Sequence, residues 1–263
     1  MDLRPDSPRS IGGMLDDSLR LYRLSYAHWW LPSLVIALAT LAWGVALATS
    51  GVASTDPRAF LAMFASGRIA LALVALSFVS LWSAATLYVA LDAVYVGAPL
   101  SRGQAASAGA RLMPAMFGLG IVTALILFLG FIALVIPGIY LLGRLLLANP
   151  VLAVERKGVF NALSRSYALT RGSWWRGFTV LSMAFIIVFV LAGVVVGILG
   201  VVVALTLRGD PALAGVVNTV LQSLAKFFTS AFIPAATIVL YHDLKARVDG
   251  DDLERRAEAL AAS

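Results

Sequence analysis

The side chains best able to do chemistry in this sequence are a few polar and ionised groups inside long apolar runs. Four recur at every fourth position and so stack along one face of a helix: Asn218, Gln222, Lys226 and Ser230. Arg144 lies in a second run and Asp92 in a third. A charge in hydrocarbon costs roughly 2.5–3.5 kcal/mol on insertion scales, so such groups normally face protein or water. We expect all six to face inward.

Two interpretations of the polar stripe remain open. It either holds helices together by hydrogen bonds to serines of a neighbouring run, or it lines a cavity for a solute, an ion or a lipid headgroup. Arg144 and Lys226 outnumber the single internal acid Asp92, so such a cavity would be electropositive and would suit an anionic headgroup or solute. An Arg144–Asp92 pair requires tilted helices, because their predicted depths differ.

Several kinds of chemistry have no residues to support them. The two histidines, His28 and His242, lie near the ends of apolar runs without partners at metal-ligand spacing. The chain has no cysteine and no glycine-rich phosphate loop followed by lysine. The acidic segment 249–254 lacks the spaced ligands of a calcium loop. We therefore predict no catalytic residue, no metal and no cofactor.

The composition indicates which secondary-structure elements carry these residues. Hydrophobic residues make up 60% of the 263 residues and charged residues 13%, against about 25% charged in soluble domains. A soluble core could not hide so much apolar surface, which indicates an all-α polytopic membrane protein. Six runs suffice to cross a bilayer: about 29–49, 69–96, 113–136, 138–155, 177–207 and 213–242. Residues 1–28 and 243–263 flank this 29–242 transmembrane domain.

Prolines mark irregular points in the spans. Ile136, Pro137 and Gly138 predict a tight external hairpin between spans three and four, or alternatively a re-entrant element. Arg144 follows this turn by six residues and is expected to point to external headgroups or into the bundle. Pro150 removes the bond to the carbonyl of Leu146, which predicts a kink or a hinge.

The distribution of positive charge predicts the orientation. Of the 20 lysines and arginines, fifteen lie in the termini and in the loops after spans two and four, and three lie on the opposite side. Positive residues accumulate in cytoplasmic loops, so both termini should be cytoplasmic in a bacterial inner (plasma) membrane. The net charge of +6 is thus explained by the anionic leaflet rather than by a nucleic-acid partner.

Two segments before spans read as amphipathic helices that end in a Trp-Trp pair. The apolar faces are Leu15, Leu19, Tyr22 and Tyr26 in the first, and Phe160, Leu163, Tyr167 and Thr170 in the second (158–172). Each lies in the headgroup region or packs as a cytosolic helix on loops. Glu155 should pair with Arg165 of the second helix. Residues 13–30 and 158–175 share six identical positions, and a weaker echo at 103–112 suggests three pseudo-symmetric units.

A family resemblance covers most of the chain. The run "IPGIYLLGRLLLANPVLAVE", followed by "ALSRSYALTRGSWW", resembles the membrane domain attached to some bacterial glycerophosphoryl diester phosphodiesterases and its stand-alone relatives. The early "GGMLDDSLRLYRLSYAHWW" and the late "LYHDLKAR" are similar to the ends of that domain. The resemblance implies a six-helix membrane domain. The phosphodiesterase activity belongs to a separate catalytic domain, and this sequence lacks the histidines and carboxylates such a domain requires.

Two functions are consistent with these residues. The first is a non-enzymatic membrane module that binds lipids, with anionic headgroups as partners, or that scaffolds other proteins. The alternative is a transporter or channel for a small anionic solute or lipid, with a cavity around Lys226 and Arg144. The scarcity of internal acids leaves little for coupling to protons or sodium, which weighs against transport.

Overall fold

The structure is a bundle of helices whose long apolar members match the predicted spans. The computed structural model describes residues 9–49, 67–207 and 209–261, and those ranges contain no β-strand. Residues 50–66 of the predicted loop 50–68, and Arg4, lie outside them. The elements are α1 Ile11–Leu24, α2 Tyr26–Thr49, α3 Arg68–Tyr95, α4 Arg102–Ala133, α5 Val135–Leu145, α6 Ala148–Glu155, α7 Val159–Leu169, α8 Trp174–Val188, a π-helical segment Phe189–Val194, α9 Val195–Thr206, α10 Pro211–Thr229 and α11 Phe232–Ala261.

Six stretches of these helices are long and apolar enough to cross a bilayer. They are Tyr26–Leu47, Leu71–Tyr95, Arg102–Ala133, Val135–Glu155, Trp174–Thr206 and Leu213–Gly250. The predicted fold class, an all-α membrane protein with six spans, is confirmed. The third span begins about ten residues earlier than predicted, because the segment 103–112 continues directly into α4.

Three helices end at or beside the residue four positions before a proline. The pairs are Ala133 with Pro137, Leu146 with Pro150, and Ser230 with Pro234. Proline has no N–H for the carbonyl four residues earlier, and its ring crowds that carbonyl. The chain therefore breaks after α4, α5 and α10, and the break predicted at Pro150 is present. Proline alone is not sufficient, since Pro32 and Pro114 lie inside continuous helices.

The two N-terminal helices, α1 and α2, pair antiparallel with the two helices of the last span, α11 and α10. Ser25 separates α1 from α2, and the break around Ser230 separates α10 from α11. Between α10 and α2, the Ser230 hydroxyl donates to Ser33 Oγ over 2.7 Å. Between α1 and α11, the backbone N–H of Arg9 donates to Asp243 Oδ1 over 2.9 Å. The predicted C-terminal tail thus begins inside α11, where it packs against the N-terminal helix.

The turn between spans three and four lies slightly earlier than predicted. Leu134, in extended conformation, joins α4 to α5, while Pro137 and Gly138 lie inside α5. A Cβ on Gly138 would overlap the ring of Phe131, so glycine permits the close approach of the two helices. The 11 residues of α5 extend about 16 Å, roughly half of the 30 Å hydrocarbon core. Helix α5 alone is therefore too short to cross a bilayer.

Burial is uneven along the spans. Residues 232–244 of α11 and 83–95 of α3 are mostly buried, and they form the main core with parts of α1, α6 and α7. In the span formed by α8 and α9, by contrast, Phe185 and Leu191 are 63% and 65% exposed. Large apolar side chains that face outward fit a lipid environment rather than water. The cores of α3 and α11 are thus densely packed, whereas the span of α8 and α9 exposes large apolar side chains.

Helix α1 packs through a face one residue away from the predicted one. Its buried residues are Met14, Ser18 and Leu21, because α11 covers that side. Leu19 and Tyr22 of the predicted face are partly exposed. In α7 the buried residues are Ala162, Leu163, Ser166 and Leu169, while Phe160 is 76% exposed.

The three-unit repeat is not confirmed by the structure. In the first matching segment, Trp29 Nε1 donates to the carbonyl of Tyr22 in the same segment, over 2.8 Å. The equivalent Trp174 instead donates to the carbonyl of Tyr140 in α5, over 3.0 Å. Identical residues therefore make different contacts in the two segments.

Candidate functional site

Arg144 lies in the last turn of α5 with 9% of its surface exposed. Its Nη2 and Nε donate to the hydroxyl of Tyr140 over 2.6 and 2.9 Å, and Nη1 donates to the carbonyl of Tyr167 over 3.4 Å. The guanidinium carbon also lies 5.0 Å from the ring centroid of Tyr140 and 4.4 Å from that of Tyr167. Within the described ranges, no carboxylate forms an ion pair with it. The cation is held by neutral oxygens and aromatic faces.

Helix α7 folds back along α6 and α5 to complete this site. The Ser166 hydroxyl donates to the carbonyl of Arg144 over 2.8 Å, and the Thr170 hydroxyl reaches the same oxygen over 3.4 Å. The last carbonyls of a helix lack backbone N–H partners. The break before Pro150 creates such a helix end inside the protein, where side-chain hydroxyls serve as the donors. The Ser166 hydroxyl fixes α7 against the end of α5 and brings Tyr167 over the guanidinium, while the Thr170 hydroxyl has a closer acceptor, the Ser166 carbonyl at 2.9 Å.

The aromatic side chains that cover Arg144 are themselves partly exposed. Tyr140 and Tyr167 are 41% and 44% exposed, and the neighbouring Trp175 is 74% exposed. Trp174 packs directly on Gly143, where a Cβ would overlap its indole, and stacks on Phe178 with centroids 4.9 Å apart. Half-exposed Tyr and Trp side chains are typical of the level of lipid headgroups. A guanidinium behind them is suited to phosphate, which it contacts through two parallel N–H groups.

The structure places Arg144 beside the arginine-rich segment and not toward the opposite face. Tyr167 and Trp174 lie in the predicted loop after span four, on the side that holds most of the positive charge, and both touch the Arg144 site. Of the two directions expected for Arg144, these contacts fit the one into the bundle. The physical reason is the break before Pro150, which lets α7 return alongside α5.

Asp92 pairs with a different residue from the one considered. Its Oδ1 lies 2.7 Å from Nε2 of His242, whose ring stacks on Tyr95 with centroids 4.7 Å apart. Arg144 is absent from this pair. Asp92 thus joins α3 to α11, and it does not pair with Arg144.

Glu155 and Arg165 lie together where α6, α7 and α11 meet. Arg165 Nε is 3.3 Å from Glu155 Oε1, and its Nη2 is 3.0 Å from Asp249 Oδ1. The carboxylate of Glu155 also accepts from the Tyr241 hydroxyl over 3.1 Å and lies 3.7 Å from Lys157 Nζ. Burial works to lower the pKa of Arg165, but hydrogen bonds and attraction from Asp249 and Glu155 raise it above its usual value. The pair ties α7 to the core helix α11.

The polar stripe of the last span is divided by the break around Ser230. Lys226 lies in the last turn of α10, where a cation is favourable beside the free carbonyls of a helix end. Lys226 and Gln222 are exposed, and Asn218 approaches Gly200 of α9. Ser230 bonds to Ser33 of α2 rather than to the serines of the second span. The six residues expected around one cavity therefore have separate neighbours.

A buried carboxylate in α11 that was not among the predicted site residues joins that helix to α8 and to the segment before α1. The side chain of Asp243 is 2% exposed and accepts hydrogen bonds from the Arg9 backbone N–H, from Arg176 Nε over 3.2 Å and from Arg247 Nε over 2.9 Å. Arg176 also donates to the carbonyl of Arg9. We call these four residues the Asp243 junction. The i,i+4 spacing of Asp243 and Arg247 was the one signal in the sequence.

The fold and the placement of its aromatic and ionic groups define a multi-pass α-helical membrane protein. Residues 116–258, more than half of the chain, match the family described as the membrane domain of glycerophosphoryl diester phosphodiesterase. The chain belongs to this family. No curated protein and no solved structure matches it. The matched region runs from α4 to α11 and contains both Arg144 and Asp243.

Proposed function

We propose that this protein is a non-enzymatic membrane module that binds anionic lipid headgroups at the Arg144 site. The observation that carries the proposal is the buried guanidinium, whose described partners are all neutral and whose covering tyrosines are half exposed. A buried cation is stabilised by an anion that reaches it, and a lipid phosphate lies at the depth where Tyr and Trp concentrate. The family match to a membrane domain, rather than to a catalytic one, is consistent with this role.

The proposal includes an orientation with both termini in the cytoplasm and the protein in the inner membrane. Support comes from the bias of fifteen positive residues against three. The Arg144 site, beside α7, then faces the cytoplasmic leaflet, whose anionic lipids attract positive charge. Scaffolding of other proteins is compatible with the same surface.

The orientation is tested with reporter fusions. We expect alkaline phosphatase to be inactive when fused after Ser263 and active when inserted within residues 52–66, because that enzyme folds only outside the cytoplasm. A fluorescent protein at the same two positions should give the inverse pattern. An active phosphatase at the C-terminus would reverse the orientation.

The Arg144→Gln variant is expected to lose selectivity for anionic lipid. A hydrogen bond between charged groups contributes about 1.5–3 kcal/mol, so the preference for phosphatidylglycerol over phosphatidylcholine should fall by roughly tenfold or more. Native mass spectrometry of the protein released from mixed-lipid nanodiscs measures this ratio.

Lys157→Gln is the matched control, because it removes the same charge from an exposed side chain in the connection between α6 and α7. We expect it to keep the wild-type ratio. Equal ratios for the wild type and both variants would refute lipid binding at Arg144. A loss of the same size in both variants would assign the preference to overall charge.

A further inference from the structure

A lateral groove lies between α1, the α8–α9 span and α10, with Phe232 of α11 at its base. Its volume is about 430 Å³, within the roughly 300–1,000 Å³ of pockets that hold small ligands. Its rims include Leu191 and Leu224, which are 65% and 53% exposed. The groove is therefore open sideways, toward the lipid that surrounds the span.

The groove offers no free polar group to a ligand. Among its lining side chains only Tyr22 and Thr229 carry polar atoms. The Tyr22 hydroxyl donates to the carbonyl of Phe228 over 2.6 Å, and the Thr229 hydroxyl donates to that of Ala225 over 2.8 Å. With both donors used by the backbone, the groove suits an apolar chain and not a polar solute.

The shape of the groove has a local cause in the chain. Ala192 and Ala225, both small, line its two walls. The wall that contains Ala192 is the π-helical segment Phe189–Val194, which interrupts the regular helix between α8 and α9. Such π-helical turns are rare and are frequent at functional sites. The groove's lining residues in this span run from Ile187 to Leu199, so the groove follows the span on both sides of the π-helical segment.

Positive charge lies at the α1 end of the groove. Leu19, which lines the groove, also borders a surface depression with Asp16, Arg20 and Arg23. The depression therefore has two positive side chains and one negative one. In the described part of the chain, neither arginine forms an ion pair. An apolar groove with an electropositive end is complementary to a molecule with an anionic head and a hydrocarbon tail.

We infer that the groove binds one acyl chain of an anionic phospholipid, whose phosphate contacts Arg20 and Arg23. The lipid is held along the span with its head at α1 and its chain directed toward the turn between α9 and α10. This site is formed by different residues from the Arg144 site. It extends the proposed function from headgroup contact to the retention of an individual lipid.

The test uses the full chain in nanodiscs that contain phosphatidylglycerol with a photoactivatable diazirine in one acyl chain. After irradiation, peptide mass spectrometry locates the label. We expect labelling of groove residues such as Leu191, Leu224 and Phe228 to exceed that of the lipid-exposed Phe128 and Leu129 by about fivefold, since retained lipid reacts more than exchanging lipid. Equal labelling would show that only bulk lipid contacts the groove and would overturn the inference.

Two leucines with the same exposure give a matched pair of variants. Leu224, at the groove, is 53% exposed, and Leu205, on the outer surface of α9, is 52% exposed. Leu224→Trp should fill the groove and reduce its labelling about tenfold, while Leu205→Trp should leave it unchanged. Thermal melting of both variants shows whether each is folded. Unchanged labelling in a folded Leu224→Trp variant would refute the site.

The headgroup half of the inference is tested separately. The double variant Arg20→Gln and Arg23→Gln, both exposed, should bring groove labelling by phosphatidylglycerol down to the level of a matching phosphatidylcholine probe. If the two probes label the wild type equally, or if a photoactivatable free fatty acid displaces the phospholipid, the assignment to an anionic phospholipid is wrong. The Arg144→Gln variant should retain full labelling, which separates this site from the first.

Discussion

Asp243→Ala is expected to reduce the free energy of unfolding by about 3–5 kcal/mol, the cost of removing one partner from a buried ion pair. The substitution leaves Arg176 and Arg247, which are 22% and 31% exposed, and the N–H of Arg9 without their shared acceptor. For a chain of this size the corresponding loss in melting temperature is roughly 6–20 °C. Thermal unfolding of the purified protein in a mild detergent measures it.

Asp249→Ala is the control for this prediction. Asp249 lies on the same helix and also pairs with an arginine, but its side chain is 46% exposed. Exposed pairs contribute about 0–1 kcal/mol, so the control should melt within a few degrees of the wild type. Asp243→Asn, which keeps an acceptor oxygen, should lie between them. Equal losses for Asp243→Ala and Asp249→Ala would contradict a stabilising junction.

Gly109→Leu is expected to separate α3 from α4 and to destabilise the protein by more than the 1–3 kcal/mol typical of an overpacked core. A Cβ at this position would lie 2.8 Å from the backbone nitrogen of Thr86 and 2.9 Å from its Cα. These atoms belong to the backbone of α3, so no side-chain rotation relieves the overlap. Melting temperature and elution as a single species in size-exclusion chromatography report the effect.

The same helix supplies a matched control at Gly120, where a Cβ would have no neighbour within 4 Å. Gly120→Leu should leave the melting temperature unchanged or raise it slightly, because leucine favours a helix over glycine. A wild-type melting temperature for Gly109→Leu would show that α3 and α4 approach each other less closely than described.

The membrane spans were predictable because the thickness of the hydrocarbon core fixes the length of apolar sequence that a spanning helix needs. Long apolar runs identify helices without knowledge of their neighbours, and all six were found. The helix breaks were partly predictable. Pro150 indicated the break at Leu146, since the lost hydrogen bond is local. Pro32 has the same chemistry inside a continuous helix, so the outcome depends on packing that the local sequence does not contain.

The polar contacts were much less predictable, because they join distant parts of the chain. Glu155 and Arg165 are ten residues apart, and their contact was expected. Arg9 and Asp243 are 234 residues apart, and no periodicity relates them. Arg144 was expected to face inward, and it is buried. Its partners could not be predicted, because they depend on how α7 packs against α5. Lys226 lies inside the last span, as expected, but the break around Ser230 places it at the end of α10.

The pairing of the first helix with the last sets an order for biosynthesis. The ribosome must deliver nearly the whole polypeptide to the translocon before α1 can meet α11. Until then, the surfaces of α1, α3 and α8 that α11 covers are open to lipid and to insertion chaperones. A nascent chain that stops short of α11 has most of its spans in the bilayer but lacks the centre of its core. Completion of the last helix is therefore the step that closes the protein.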